Sequence, residues 1–213
     1  MRVSEIFRSI QGESYLMGLP CTFVRLAGCN LRCSWCDTMY AQDTGSGREM
    51  SVHEIIKEVR GKGADLIEIT GGEPLLQAET LTLARIFSDM GGRVLLETNG
   101  TLDITDVDSR VTIVMDIKAP SSGHADAIRW ENVDRLQDTD EIKVVIADRA
   151  DYEWAKRELA ARRILLEKRV TFSPVFGRLE YKTVAEWLLQ DALPVKLGIQ
   201  LHKLLWGPDA KGV

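Results

Sequence analysis

The sequence predicts an α/β fold built on a parallel sheet of about six βα units. Short apolar segments recur along the 213 residues, and amphipathic segments with apolar residues three to four positions apart lie between many of them. Polar or glycine-rich turns separate the two kinds of segment. Strands separated by helices in this way pair in parallel through right-handed crossovers. No proline- or serine-rich linker divides the chain, so we expect a single domain over residues 1–213.

Two segments near the N-terminus lie outside this repeat. Residues 1–18 form an extension, and residues 37–50 form a polar insertion. Between them, residues 20–27 are mostly apolar and predict a short strand. Cys21, at the start of this strand, is predicted to lie in the core, because a free cysteine commonly behaves as a small hydrophobic residue.

The first clear helix is predicted to begin at Ser51. Ser51 can cap the helix and Glu54 can close a capping box, while the segment 61–63, Gly-Lys-Gly, ends it. The apolar stripe of this helix consists of Val52, Ile55, Ile56 and Val59.

The later elements repeat strand, turn and helix. Gly71-Gly72-Glu73-Pro74 turns the chain into a second helix, which Gly91-Gly92 ends. The stretch 117–135 is the least regular part. Strands are expected at 65–70, 93–97, 111–117, 141–147, 169–173 and 196–201, with further helices near 151–163 and 181–190.

Composition and charge narrow the class of protein. The formal net charge of −5 argues against a large nucleic-acid-binding surface. There is no apolar run long enough for a membrane span, and the first residues lack the apolar stretch of a signal peptide. Clustered cysteines without an export signal fit a reducing cytoplasm, where thiols bind metals or take part in catalysis.

Three cysteines, Cys29, Cys33 and Cys36, give the strongest chemical signal. A structural zinc site requires four ligands, usually in two pairs from separate loops. Here no fourth Cys or His follows nearby. Three thiolates in one short loop can instead hold three irons of a [4Fe-4S] cube and leave the fourth iron open to a small molecule. A partial zinc site or scattered buried thiols is the competing interpretation.

Polar segments follow directly after five of the predicted strands. Because ligands bind at the carboxyl ends of parallel strands, these segments are predicted to share one site. Each could also be an ordinary turn or helix cap. The segments are Thr70-Gly-Gly-Glu-Pro, Glu97-Thr-Asn-Gly, Asp116-Ile-Lys-Ala-Pro, Ser173-Pro and Gln200-Leu-His-Lys.

The cysteine spacing, Trp35 before the last cysteine and the Gly71-Gly-Glu-Pro segment together resemble the radical S-adenosylmethionine (radical SAM) superfamily. This resemblance implies an open, partial parallel βα barrel with an N-terminal extension carrying the Fe-S loop. About six units agree with it, since eight are needed to close a barrel. It also implies a [4Fe-4S] cluster and S-adenosylmethionine, cleaved to a 5′-deoxyadenosyl radical. Gly72 and Glu73 would then meet the methionyl amino group.

Further motifs narrow the resemblance. Ile6-Phe-Arg-Ser-Ile-Gln-Gly-Glu, Asp37-Thr38 after the last cysteine and the C-terminal Gln200-x-His-Lys closely resemble the 7-carboxy-7-deazaguanine synthase family over residues 3–208. The resemblance implies a lyase that converts 6-carboxy-5,6,7,8-tetrahydropterin to 7-carboxy-7-deazaguanine with loss of ammonia. The conversion is a radical-mediated ring contraction that serves queuosine and related deazapurines, with Mg2+ beside the substrate.

The same resemblance implies where each ligand binds. Thr38 would be the protein ligand to Mg2+. Substrate would contact Ile10, Gln11, Gly12, Arg25, Thr70 and Pro208, and S-adenosylmethionine would lie against Trp35, Cys36, Asp37, Gly72, Asp116, Ile117 and Lys118.

Chemistry of the residues adds to these assignments. The guanidinium of Arg25 could hold a substrate carboxylate through two hydrogen bonds. His202, predicted near the end of a strand, could hydrogen-bond the pterin or move a proton. Ser173 follows a strand on the cofactor side and is predicted to contact S-adenosylmethionine, whereas His53 and His124 are predicted to be solvated.

Two other functions stay open on the sequence alone. An activating enzyme for a glycyl-radical protein shares the cysteine spacing and the Gly-Gly-Glu-Pro segment, and a non-catalytic metal-binding scaffold would use the cysteines alone. The family resemblance further implies an electron donor such as flavodoxin or ferredoxin and a homodimer. Neither nucleic acid nor membrane is expected as a partner.

Overall fold

The computed structural model describes residues 1–63 and 65–213, which form one nine-stranded sheet with helices against it. The strands are β1 (Arg2–Ile10), β2 (Pro20–Leu26), β3 (Arg48–Glu49), β4 (Leu66–Gly71), β5 (Arg93–Thr98), β6 (Thr112–Ile117), β7 (Glu141–Ile146), β8 (Arg169–Pro174) and β9 (Lys196–Leu197). The helices are α1 (Val52–Lys62), α2 (Glu79–Asp89), α3 (Arg149–Ala161), α4 (Ile164–Glu167), α5 (Tyr181–Asp191) and α6 (Leu201–Trp206).

The strand order is β3-β1-β2-β4-β5-β6-β7-β8-β9. From β2 to β9 every neighbouring pair is parallel, whereas β1 runs antiparallel to both β2 and β3. Strands β3 and β9 are the two edges of the sheet, which therefore stays open. This confirms the predicted open α/β architecture. The extension 1–18 belongs to the sheet, because half of its residues form strand β1.

The predicted helices form close to their expected positions. Helix α1 begins with the capping box between Ser51 and Glu54, as predicted. Residues 117–135 contain only short 3₁₀ turns after β6, which fits their irregular pattern. Among the described residues, no helix has both the length and the apolar character to cross a membrane.

The strand predicted over 196–201 is wrong for most of its length. Only Lys196 and Leu197 pair with β8, and helix α6 begins at Leu201. The backbone N–H of Leu201 donates to the carbonyl of Gly12, 3.0 Å away, instead of to β8. His202 therefore lies on a short helix, not at the end of a strand.

The two faces of the sheet differ in polarity. On β4, Ile67 and Ile69 pack toward the helices, while Glu68 and Thr70 face the inside of the open barrel. The inside has an apolar floor formed by Cys21, Phe23, Leu66, Leu95 and Val114. Toward the carboxyl ends of the strands, polar and charged side chains replace the apolar ones.

Candidate active site

A cavity of about 500 Å3 lies above this floor, at the carboxyl ends of the parallel strands. Most of the residues that the sequence assigned to ligands line it. Those at the cavity wall are Ile10, Gln11, Gly12, Arg25, Cys29, Cys33, Trp35, Cys36, Asp37, Thr38, Thr70, Gly72, Asp116, Lys118, Ser173, His202 and Pro208.

The cysteine loop follows β2 and forms one wall of the cavity. Cys29, Cys33 and Cys36 are free thiols, each partly exposed. The N–H of Cys36 donates to the carbonyl of Cys33 at 3.2 Å, which makes a tight turn between the last two thiols. No three Cys, His, Asp or Glu side chains in the described part of the chain are arranged around a single metal ion. A cube places each thiolate on a separate iron and does not require such convergence.

A second loop, residues 120–124, holds the cysteine loop in place. Trp35 Nε1 donates to Ser121 Oγ at 2.9 Å, and the N–H of Ser34 donates to the carbonyl of Ser122. Nε2 of His124 accepts the N–H of Arg32 at 3.0 Å. His124 was predicted to be a solvated residue, but it is partly buried and supports the cysteine loop.

The Gly71-Gly72 segment packs against the cysteine loop. A Cβ on Gly72 would lie 2.2 Å from the carbonyl oxygen of Gly28 and 2.7 Å from Cβ of Cys29. Only glycine therefore lets this strand end approach both the loop and the cavity.

Glu73 does not meet the cavity, so its predicted contact with the cofactor is not supported. Its carboxylate is fully buried and accepts hydrogen bonds from the N–H groups of Leu75 and Asn99 and from the hydroxyl of Thr98. Burial raises the pKa of Glu73, and these hydrogen bonds act against the rise. The side chain fixes the turns after β4 and β5.

Asp116 and Lys118 lie side by side at the cavity wall. Lys118 Nζ is 2.9 Å from Asp116 Oδ2 and 5.3 Å from the centre of the Trp35 ring. The other carboxylate oxygen of Asp116 is buried and has no hydrogen-bond partner in the described structure. Ile117, between them, points into the core on the opposite face of β6, so its predicted cofactor contact is not supported for the side chain.

Lys143 on β7 is the centre of a buried ionic network. Its Nζ lies 2.9 Å from Glu13, 2.5 Å from Glu97 and 3.6 Å from Asp116. Burial alone would lower the pKa of Lys143, but these carboxylates outweigh it and raise the pKa well above its usual value. Glu97 also accepts the hydroxyl of Thr70 at 2.9 Å.

Glu68 lies deeper in the cavity, on β4. Its carboxyl accepts a hydrogen bond from Gln11 Nε2 at 3.1 Å, and Gln11 Oε1 accepts the N–H groups of Glu13 and Ser14. Burial raises the pKa of Glu68, and the nearby charge of Glu97 raises it further. Glu68 thus tends toward the neutral acid while Glu97 stays ionised.

Helix α6 closes the cavity from the C-terminal side. Lys203 Nζ contacts Asp37 at 2.7 Å, and Gln200 Nε2 contacts Glu13 at 2.8 Å. A Cβ on Gly12 would lie 2.5 Å from Nδ1 of His202, so these two predicted substrate residues touch. Burial lowers the pKa of His202, which favours a neutral imidazole near pH 7.

Sequence reasoning missed several cavity residues. Glu5, Glu13, Tyr40, Glu68 and Lys143 all line the cavity but were not assigned a role. One signal was present: Glu68 and Lys143 are charged residues inside mostly apolar strands, at positions that alternate with core residues.

Comparison with known proteins gives one consistent result. The family model described as the Radical SAM superfamily matches residues 24–142. A 7-carboxy-7-deazaguanine synthase from Chlorobaculum tepidum is 48% identical over 100% of this chain and 97% of its own length. One from Koribacter versatilis is 44% identical, with complete coverage of both chains. The crystal structure of QueE from Escherichia coli shares the fold, with a TM-score of 0.76 and 23% identity over 94% of each chain.

Proposed function

Because the chain belongs to the 7-carboxy-7-deazaguanine synthase family of the radical SAM superfamily, we propose that it converts 6-carboxy-5,6,7,8-tetrahydropterin to 7-carboxy-7-deazaguanine. One molecule of ammonia leaves, and the conversion needs no net oxidant or reductant. The observation that carries the proposal is the shared cavity, which three free thiols and an arginine with unengaged donors line together.

The residues present fit the cofactors of this family. Cys29, Cys33 and Cys36 would hold the [4Fe-4S] cluster, and Thr38, two residues further on, would supply an oxygen ligand to Mg2+. When bound, the cluster and S-adenosylmethionine supply the radical that abstracts a substrate hydrogen. The chain's own part is to bind, orient and exclude water.

Substrate would lie between Arg25 and helix α6. The guanidinium of Arg25 would bind the carboxylate, and Gln11, Gly12 and Thr70 would border the ring system. The imidazole of His202 would face the ring as a neutral hydrogen-bonding group. Ile10 and Pro208 would complete this side of the cavity.

S-adenosylmethionine would lie on the other side, next to the cysteine loop. Gly72 would bring backbone close to it, and the partnerless carboxylate oxygen of Asp116 would accept a hydrogen bond from a cofactor donor. Trp35, Asp37, Lys118 and Ser173 would form the remaining wall.

The partners are of two kinds. The substrate is a small molecule, and the radical SAM family requires an electron donor, for which we propose a flavodoxin or ferredoxin. A homodimer and a cytoplasmic location stay predictions.

The test is an anaerobic assay of the reconstituted protein with 6-carboxytetrahydropterin, Mg2+, reductant and S-adenosylmethionine. Mass spectrometry should find a product lighter than substrate by one ammonia, with S-adenosylmethionine not consumed in proportion. Stoichiometric 5′-deoxyadenosine without deazaguanine would refute the assignment.

A further inference from the structure

In the described structure, the Arg25 guanidinium is hydrogen-bonded to the protein through one nitrogen atom. Its Nε donates to Glu5 Oε1 at 2.8 Å. In the described structure, no protein acceptor bonds Nη1 or Nη2, although the side chain is only 16% exposed and lines the cavity. The two outer amino groups are therefore available as a pair of parallel donors, which is the arrangement that binds a carboxylate in two places.

A β-bulge places Glu5 opposite Arg25. Val3 pairs with Leu26, but the register shifts before Glu5, which pairs with Arg25. Without the extra residue, Ser4 would stand opposite Arg25, and Glu5 would turn to the helix-covered face of the sheet. The bulge thus brings an acid to the cavity face, directly beside the arginine.

Aromatic side chains contact both members of the pair between Arg25 and Glu5. The ring of Phe7 lies 5.9 Å from the guanidinium carbon of Arg25 and is stacked on Phe23. The hydroxyl of Tyr40 donates to the same oxygen, Glu5 Oε1, at 2.7 Å.

We propose that Glu5 is a positioning residue, which fixes the Arg25 guanidinium so that Nη1 and Nη2 face the substrate carboxylate. The proposal rests on the function proposed above. Tyr40 follows Thr38 by two residues, so Glu5 also ties the arginine to the segment assigned to Mg2+. Oε1 of Glu5 thus accepts hydrogen bonds both from Arg25, which would bind the substrate carboxylate, and from Tyr40, which lies close in sequence to the proposed Mg2+ ligand.

Removal of Glu5 has a specific physical consequence. Arg25 would lose the acceptor that fixes its side-chain torsions, and the ionised Glu97 would attract the freed guanidinium. Ligands with a carboxylate should then lose affinity, while ligands without one should not.

The experiment measures binding without turnover. Reconstituted protein with S-adenosylmethionine and Mg2+ but no reductant is titrated anaerobically with 6-carboxytetrahydropterin and, separately, with tetrahydropterin. For Glu5→Ala we expect the Kd of the carboxylated pterin to rise about 10- to 100-fold and that of tetrahydropterin to change less than about twofold.

Three variants serve as controls. Glu5→Gln keeps an oxygen acceptor for Nε and should restore most of the affinity. Tyr40→Phe keeps the pair between Arg25 and Glu5 and should cost less than Glu5→Ala. Glu58→Ala removes the acid of an exposed ion pair with Arg48, outside the cavity, and should leave both Kd values unchanged. Iron content and thermal melting check that each variant is folded.

Two results would overturn the positioning role: an unchanged preference for the carboxylated pterin in Glu5→Ala, or an equal loss of affinity for both pterins. If the wild-type protein shows no preference for the carboxylate, the substrate assignment itself is wrong, and the proposal fails with it.

Discussion

Cys21 and Cys33 carry the same side chain in opposite surroundings. Cys21 is fully buried among Phe23, Leu66 and Leu95 in the apolar floor, and burial strongly raises the pKa of its thiol. Cys33 is partly exposed at the cavity wall. Strand β2 separates Cys21 from the cysteine loop at about 3.3 Å per residue, so Cys21 cannot reach a cluster held there.

Replacement of these two cysteines should therefore have different effects. Cys33→Ala should lose the brown colour and all turnover. Cys21→Ala should keep both and cost about 1 kcal/mol of stability, because only a small cavity forms. Iron and sulfide content and anaerobic activity measure the difference. If Cys21→Ala lost iron as completely as Cys33→Ala, four cysteines would ligate the cluster. No iron would then be left open to S-adenosylmethionine, and that prediction would be wrong.

Glu68 predicts a dependence of stability on pH. Its pKa is raised in the folded protein. At pH values below the pKa of the unfolded chain, the carboxyl is neutral in both the folded and the unfolded state and does not reduce stability. As pH rises toward the folded pKa, the unfolded chain ionises first, and stability is lost. Glu68→Gln removes this loss. Its Tm should exceed that of the wild type by about 5 °C near pH 8, and the gap should close toward pH 5.

Calorimetry across this pH range measures the gap. Glu153→Gln, an exposed acid on α3, is the matched control and should give no gap that widens as pH rises. A difference between Glu68→Gln and wild type that stayed constant with pH would mean that Glu68 is ionised throughout.

At the scale of elements, the 120–124 loop connects helix α3 to the cysteine loop. Asp151, near the start of α3, is buried and accepts the N–H and the hydroxyl of Ser121 as well as the N–H of Ala147. Ser121 in turn binds Trp35. The position of the cysteine loop therefore depends on a residue that does not touch the cavity.

Asp151→Ala should leave these three donors without a partner and cost about 2–4 kcal/mol. The Tm should fall, and the reconstituted cluster should be lost faster to an iron chelator. Asp126→Ala, an exposed change in the following 3₁₀ turn, should affect neither measurement. Chelator kinetics identical to those of wild type would show that the loop does not depend on Asp151.

Gly12 and Gly61 make a matched pair of substitutions. A Cβ on Gly12 would collide with His202 and push α6 away from the end of β1, so Gly12→Ala should weaken substrate binding about tenfold or more. A Cβ on Gly61 meets nothing within 4 Å. Gly61→Ala lies within α1 and should raise Tm slightly through its helix propensity. Equal substrate affinity in both variants would rule out close packing between Gly12 and α6.

The sequence predicted the elements whose signals are local. The capping box of Ser51 defined α1, and three cysteines in one loop defined one wall of the site. Strand β1 was missed because its bulge interrupts the two-residue alternation of burial. The strand over 196–201 failed because the partner of Leu201 is Gly12, far away in sequence. Glu5 and Lys143 acquire their roles through contacts across the sheet, which no local pattern records.

At the scale of the molecule, Lys143 joins distant parts of the chain inside the open barrel. Its three acidic partners come from the loop after β1, from β5 and from β6. Lys143→Met would leave the partly buried Glu13 and Glu97 without their cation, although Asp116 would keep Lys118, and we expect a loss of about 3–5 kcal/mol. The loop after β1 also bonds Lys196 of β9 and Leu201 of α6, so Lys143 is one of several contacts that hold the two ends of the open sheet together.

Thermal unfolding tests this expectation. The Tm of Lys143→Met should fall by about 10 °C, and a second change, Glu97→Gln, should restore part of the loss. Lys182→Met, an 86% exposed lysine on α5, should leave Tm nearly unchanged. If Lys143→Met were as stable as wild type, the network would be dispensable for the fold.

An open sheet has two edges that a closed barrel lacks, and each edge is a possible template for unwanted pairing between molecules. In this chain both edges end in strands of only two residues, and each carries charge: Arg48 and Glu49 on β3, and Lys196 on β9. So short a strand offers few backbone groups to an incoming chain. At these two terminal strands the barrel can therefore stay open for a ligand and still offer little template for the strand pairing and fibril growth that longer, apolar edge strands promote.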